Sequence, residues 1–359
     1  MSSAHATVDL DDTDGLLEAD RGGLLRASAL AGAQVRATAA AVEEGALDSV
    51  TGGPRPRTVI WISGRGAAEA AGTMLSAALS TSAGEPFVTA AESPPWIGPL
   101  DVLVAAGDDA GDPVLVTAAA TAVRRGARVV VAAPYEGPLR DATAGRAAVL
   151  SPRIPVPDDF GLCRYLAAGL ATLHAVDPGS RTDLYALADE LDAEALRNSA
   201  GRELFTNPAK ALAERLSGRR AVLAGDCPAT LALARHGGAV LLRVAGQPVA
   251  AAGLADALMA LRNGIGGTAT GFAVEALFHD EQIDGPLPNR IRVLALSLAA
   301  ERQILAARVA GFDDLDLVGV EDVGDAGSIP LSGGRTELQL AILALRLEMA
   351  AVYLRLLGG

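Results

Sequence analysis

Aromatic residues are scarce: they make up 3% of the 359 residues, while hydrophobic residues make up 50%. A core in a chain of this length must therefore be filled by Ala, Val and Leu. Much of that Ala is expected in helices, where it is the best former. Lysine is nearly missing. Lys210 is the single one, and arginine carries almost all the positive charge, a compositional bias rather than a mechanism. Two cysteines, Cys163 and Cys227, are too few for a disulfide framework and read as buried reduced thiols. An excess of positive charge is also missing: the net charge is −13 and the pI about 4.8. That balance argues against nucleic acid or an anionic membrane surface as partner. Long apolar runs are absent as well. The most apolar stretch, Ala239–Leu261, is broken by Arg243, Gln247 and Asp256, so no bilayer span is expected. No signal peptide is visible, and the chain reads as soluble and cytoplasmic.

What is present is alternation. The stretch Asp101–Pro134, DVLVAAGDDAGDPVLVTAAATAVRRGARVVVAAP, is a complete strand–loop–helix–strand unit. Val102–Ala106 is an apolar run of the kind buried in a parallel sheet, Val114–Arg125 an Ala-rich helix with Pro113 at its start, and Arg128–Ala133 the next strand. Gly126 ends the helix between them. Before this unit, Leu16–Ala46 carries helical spacing broken at Gly22-Gly23, and Thr51–Arg57 is a linker. Thr58–Ser63 is a strand, Gly64–Gly66 a turn, Ala67–Leu79 a helix and Pro86–Ala90 a short strand. After it, Leu150–Asp158 is extended by prolines, and Phe160–Ala175 and Leu184–Arg197 are helices. The pattern restarts at Asn207, an N-cap with Pro208 at the first helical position. Strands follow at Ala221–Gly225, Ala239–Val244, Arg290–Leu296 and Asp316–Val320, with helices at Pro228–His236 and Ala300–Ala310 and a closing helix at Thr336–Leu357. Two α/β units of similar design, about 150 residues apart in this pattern, predict an internally duplicated, mainly parallel architecture.

Ligands of such sheets bind where loops leave the carboxyl ends of strands. The first loop, SGRGAAEAAG, follows a strand and opens a helix, and it places Ser63, Gly64, Arg65 and Gly66 where backbone amides can face an anion. As a dinucleotide fingerprint it falls short, because the third glycine would fall at Glu69. The second loop carries Gly107, Asp108, Asp109 and Asp112. Its aspartates can be read as a metal site or as acidic residues complementing a helix N-terminus; no histidine accompanies them, and no metal is expected. His279, beside Asp280 and Glu281, is either a general acid–base with a pKa suited to neutral pH or an exposed loop histidine. His174 and His236 read as surface or packing residues. No nucleophile elbow, Walker loop or zinc spacing occurs.

Several segments occur in an order that resembles one family. VIWISGRGAAEAAG precedes DVLVAAGDDAGDPVLVTAAATAVRRGARVVVAA; NPAKALAERLSGRRAVLAG, EALFHDEQIDG and MAAVYLRLLGG follow, and DTDGLLEADRGGLLRASALAGAQVR fits the opening helix. Together these resemble the bifunctional phosphoglucose/phosphomannose isomerase branch of the sugar isomerase (SIS) fold, and look closest to its actinobacterial, TobH-like members. The resemblance implies an α/β protein of two SIS-type subdomains, each a doubly wound, mainly parallel sheet flanked by helices. It divides the chain into a helical segment (1–50), a first subdomain (51–158), a helical crossover (159–206) and a second subdomain with the closing helix (207–359). It further implies a homodimer, a sugar or sugar phosphate as ligand, no cofactor, and metal-independent aldose–ketose isomerisation through an enediol.

Site residues carried over by the resemblance fit unevenly. The family's phosphate loop reads roughly S-Y-S-G-N-T-x-E. Its serines fall at Gly107 and Asp109, its glycine at Ala110 and its threonine at Asp112. A serine of the first glycine turn falls near Ala68, and the catalytic Glu near Leu242. The family's arginine persists as Arg164, and its His-Asn-Glu loop as His279-Asp280-Glu281. Replacing hydroxyl donors by carboxylates removes charge-assisted hydrogen bonds to phosphate of ~1.5–3 kcal/mol each and adds repulsion. Loss of a general base costs ~10²–10⁴ in rate. The sequence therefore leaves several readings open. One is a non-catalytic protein binding a carbohydrate derivative. Another is an active phosphohexose isomerase using His279 with Glu275 or Glu281 as base. A ligand-free structural dimer is a third, and an NAD enzyme the most distant.

Overall fold

The computed structural model describes residues 8–80, 82–177, 179, 183–263, 291–321 and 335–358. These fall into two compact units. One takes in the described residues of Gly23–Leu196 and Thr336–Leu345; the other takes in those of Met1–Gly22, Arg197–Arg335 and Arg346–Gly359. Helix α1 (Thr13–Ala19), capped by the Asp12 carboxylate on the Gly15 amide, belongs to the latter.

The unit containing residues 23–196 is built around five parallel strands: β1 (Thr58–Ser63), β2 (Phe87–Ala90), β3 (Asp101–Ala106), β4 (Arg128–Ala132) and β5 (Ala147–Val149). Their order is β2-β1-β3-β4-β5, with Ser63 in register with Ala106 and Ala106 with Ala132. That order reverses direction between β1 and β3, which makes their carboxyl ends the topological switch point. Helices α2 (Leu24–Ser28), α3 (Ala31–Glu43), α4 (Ala67–Ala78), α5 (Pro113–Arg124), α6 (Gly137–Thr143), α7 (Leu162–Val176) and α8 (Leu184–Arg197) complete the element list. Alternation along β1 sends Ile60 and Ile62 to one face of the sheet, where Leu115, Ala118, Ala119 and Ala122 of α5 and Leu139 of α6 cover them. Trp61, almost fully buried, packs on the other face between Gly72 of α4 and Gly169 of α7 and donates its indole N–H to the Ala68 carbonyl at 3.0 Å. The close helix–strand approach that a dinucleotide fingerprint places at its third glycine is thus made by Gly72, and Glu69 is exposed. Asp101 opens β3 fully buried because Arg57 grips both its oxygens, at 3.0 and 2.6 Å, and the Gly98 amide adds a third bond. Gly126 takes a positive φ of 78° at the end of α5, the left-handed position that favours glycine.

The other unit carries a second parallel sheet: β6 (Arg220–Gly225), β7 (Ala250–Gly253), β8 (Ile291–Leu296) and β9 (Leu315–Val318), in the order β7-β6-β8-β9. It repeats the arrangement of the first four strands of the other sheet. Helix α9 (Pro208–Leu216) starts as the sequence requires, with the Asn207 side-chain Oδ1 accepting from the Lys210 amide at 2.9 Å. Helix α10 is longer than the sequence suggests, running without interruption through Pro228–Ala245. The strand expected at Ala239–Val244 is therefore corrected to the last turns of that helix. A short apolar run has the same pattern in a buried helix as in a buried strand, and Gly237-Gly238 reads as a break where the helix only packs closely against Leu223, Leu347 and the Val249 carbonyl. The strand itself lies one step later, at β7, where AAAG carries little strand signal. Helices α11 (Leu254–Arg262) and Arg302–Val309 flank this sheet, and the closing helix is Thr336–Gly358.

Two buried polar side chains inside this unit have specific partners. The Lys210 ammonium donates to the Ala200 and Arg202 carbonyls at 2.8 and 2.7 Å and lies 5.7 Å from the Tyr353 ring centre. His236 is buried against Glu348 at 2.9 Å, a packing residue with a specific partner. Among the described residues, no helix is long and apolar enough to cross a membrane.

Candidate functional site

Gly64 and Gly107, the first residues beyond β1 and β3, stand side by side at the switch point. A Cβ on Gly64 would lie 3.8 Å from the Gly107 Cα and 3.2 Å from Oδ2 of Asp112. A Cβ on Gly107 would lie 2.8 Å from Leu115, so a serine there requires Leu115 to move. Ser63 closes β1 half-buried, Arg65 and Gly66 are exposed, and Gly66 enters α4 with a φ of 87°.

Five backbone amides at this edge are already in use. Gly64 N–H donates to the Ala106 carbonyl at 2.9 Å and Gly107 N–H to the Ala132 carbonyl at 3.2 Å, both extending the sheet. Asp109 accepts from the Gly111 amide through its side chain (2.7 Å) and from the Asp112 amide through its carbonyl (3.3 Å). Asp112 is the N-cap of α5, its carboxylate accepting from the Val114 amide at 2.8 Å. Two of the three loop aspartates therefore serve the loop's own turn and helix start. Among the described residues, no three His, Cys, Asp or Glu side chains gather closely enough to hold a metal ion.

Asp108 does something different. Its Oδ1 accepts from Nη2 of Arg164 at 2.5 Å and from the Tyr165 hydroxyl at 2.5 Å, while Arg164 Nη2 also reaches that hydroxyl at 2.8 Å. Arg164 is 8% exposed, and its guanidinium lies 4.3 Å from the Tyr165 ring centre. It is the third residue of α7, where the positive end of the helix disfavours a cation, so the Asp108 carboxylate offsets both burial and dipole. Burial raises the Tyr165 hydroxyl well above its ordinary pKa, with Arg164 opposing and Asp108 adding. Burial also raises Asp158, at the entry to α7, with Asp108 and Asp159 contributing and Arg164 opposing. The edge is thus acidic, with its buried cation engaged from within.

Of the residues singled out in the sequence, the structure brings Ser63, Gly64, Gly107, Asp109 and Asp112 to one edge, and Arg164 reaches the same loop through Asp108. The expected acid–base residues His279, Glu281 and Glu275 lie outside the described residues. Leu242, where the family's catalytic Glu falls, is an exposed position on α10. Tyr165 was not legible as a site residue. Its only signal was adjacency to Arg164, and 57 residues separate it from Asp108.

No protein-family model matches the sequence, and no curated protein sequence matches it. Solved structures do match in fold. A candidate phosphosugar isomerase from Bacillus subtilis is 15% identical, with 90% of this chain and 93% of that chain covered and a TM-score of 0.56. A glucose-6-phosphate isomerase like protein from Thermus thermophilus is 19% identical over 98% of this chain and 94% of that one, with a TM-score of 0.50. Tagatose-6-phosphate ketose/aldose isomerase from Escherichia coli is 12% identical over 98% and 95%, with a TM-score of 0.55. The two-sheet α/β fold expected from the sugar isomerase resemblance is the fold found.

Proposed function

We propose that this chain is a phosphosugar isomerase-like protein that binds a carbohydrate derivative at the carboxyl edge of its first sheet and does not isomerise hexose phosphates. The observation that carries this reading is the fate of the donors at that edge. The amides of Gly64, Gly107, Gly111, Asp112 and Val114 are bound within the protein, and Asp109 and Asp112 stand where the family places phosphate-holding hydroxyls. A phosphate dianion there would meet carboxylates instead of donors, in a setting where each lost charge-assisted bond is worth ~1.5–3 kcal/mol. Sugar hydroxyls, which both donate and accept, suit carboxylates better than a phosphate does. The reading includes membership of the actinobacterial TobH-like branch, a cytoplasmic location and a homodimer, none of it requiring a metal or cofactor.

The fold likeness to a tagatose-6-phosphate ketose/aldose isomerase favours a second reading, an active isomerase that uses His279 with Glu275 or Glu281 as base. Coupled assays with glucose 6-phosphate and mannose 6-phosphate separate the two. The proposed reading expects turnover no greater than that of a His279→Ala variant; turnover that this substitution abolishes would establish the isomerase.

A further inference from the structure

We propose that Asp108 is a built-in anion that occupies Arg164 and thereby sets this site against phosphate; the inference rests on placing the ligand site at this edge. A guanidinium stays charged at any accessible pH, so one that is nine-tenths buried needs an anion against it. The fork of an arginine suits two oxygens of one anion. Here it is met by one. Asp108 uses Oδ1 alone for both Arg164 Nη2 and the Tyr165 hydroxyl, and no hydrogen bond reaches its Oδ2 among the described residues. Arg164 Nη1 is buried with no partner. The donor set is thus only half matched: a guanidinium fork and a phenol hydroxyl face a single carboxylate oxygen, and one Nη is left over. An oxyanion with three free oxygens would satisfy more of these donors than Asp108 does. It is excluded because Asp108 is covalently part of the loop and needs no association entropy to stay in place. Asp108 is therefore a specificity-determining residue, and the cradle behind it is latent.

Removing the charge should expose the cradle. Calorimetric titration with inorganic phosphate and glucose 6-phosphate is expected to give at least tenfold tighter binding for Asp108→Asn than for the wild type. Asp108→Ser, which also relieves bulk, should show the same gain and serves if the Asn variant folds poorly; circular dichroism reports folding for both. Adding Arg164→Gln should erase the gain. Glu69→Gln removes one negative charge from the exposed first turn of α4 without touching Arg164, and should change affinity less than threefold. A gain in Glu69→Gln equal to that in Asp108→Asn would overturn the inference, because general repulsion would then suffice. So would folded Asp108 variants that bind no better than wild type, or a gain that survives Arg164→Gln. Failure of the functional reading looks different, since wild-type protein would itself turn over hexose phosphates.

Discussion

Asp109 closes a turn, Asp112 caps α5, and Asp108 neutralises a buried arginine 56 residues away. Only the first two jobs are local, and only those could be foreseen, as acidic residues ahead of a helix. The same residue scale shows in the tyrosines. Burial raises Tyr353 to about 12, with an Asn207 hydrogen bond opposing, and raises Tyr165 further. A group whose folded pKa is raised contributes stability that is complete below its unfolded pKa and is lost as pH rises through the folded value. For Tyr353 that window runs from 10.0 to about 12. Ultraviolet titration of the native chain at pH 11 should therefore count fewer phenolates than the four seen after denaturation, with unfolding bringing up the rest. Four phenolates titrating together near 10 in the folded protein would refute the burial described for Tyr165 and Tyr353.

At the scale of elements, strands flanked by glycine turns and helices opened by proline were readable because their signals are local. The Thr58–Ser63 strand, the Asn207 cap and the Leu184–Arg197 helix fall where the pattern puts them. Local signals failed at α10, where an apolar helical run imitates a strand, and at β7, whose four small residues gain their identity only by pairing with β6. Packing between elements was also hidden. A Cβ on Gly72 would lie 2.3 Å from Cδ1 of Trp61, which is nearly fully buried between two helices. Helix propensity alone favours Gly72→Ala by up to ~1 kcal/mol, but overpacking a tight core costs ~1–3 kcal/mol. The clash should win, and denaturant melts should show net destabilisation by about 1–2 kcal/mol. A stabilised Gly72→Ala protein would mean that α4 stands further from the sheet than described.

At the scale of the whole molecule, the architecture is what this chain shares with solved structures. Its two parallel sheets share one strand pattern, and its fold is similar to that of solved structures at sequence identities of 12–19%. Buried Ala, Val and Leu can be exchanged widely while keeping that fold, which is why alternation was enough to read it. A site depends instead on a few atoms converging from distant segments, and Arg164, Tyr165 and Asp108 are joined only after α7 reaches the end of β3. The sugar isomerase resemblance predicts a phosphate cradle at this edge, where Asp108 stands against Arg164 and Tyr165. Titrating the wild-type chain with glucose 6-phosphate, alongside glucose, tests this most directly. The account predicts no binding of the ester up to about 1 mM, equivalent to less than ~4 kcal/mol. Binding of glucose 6-phosphate at micromolar concentration, competed away by inorganic phosphate, would contradict it.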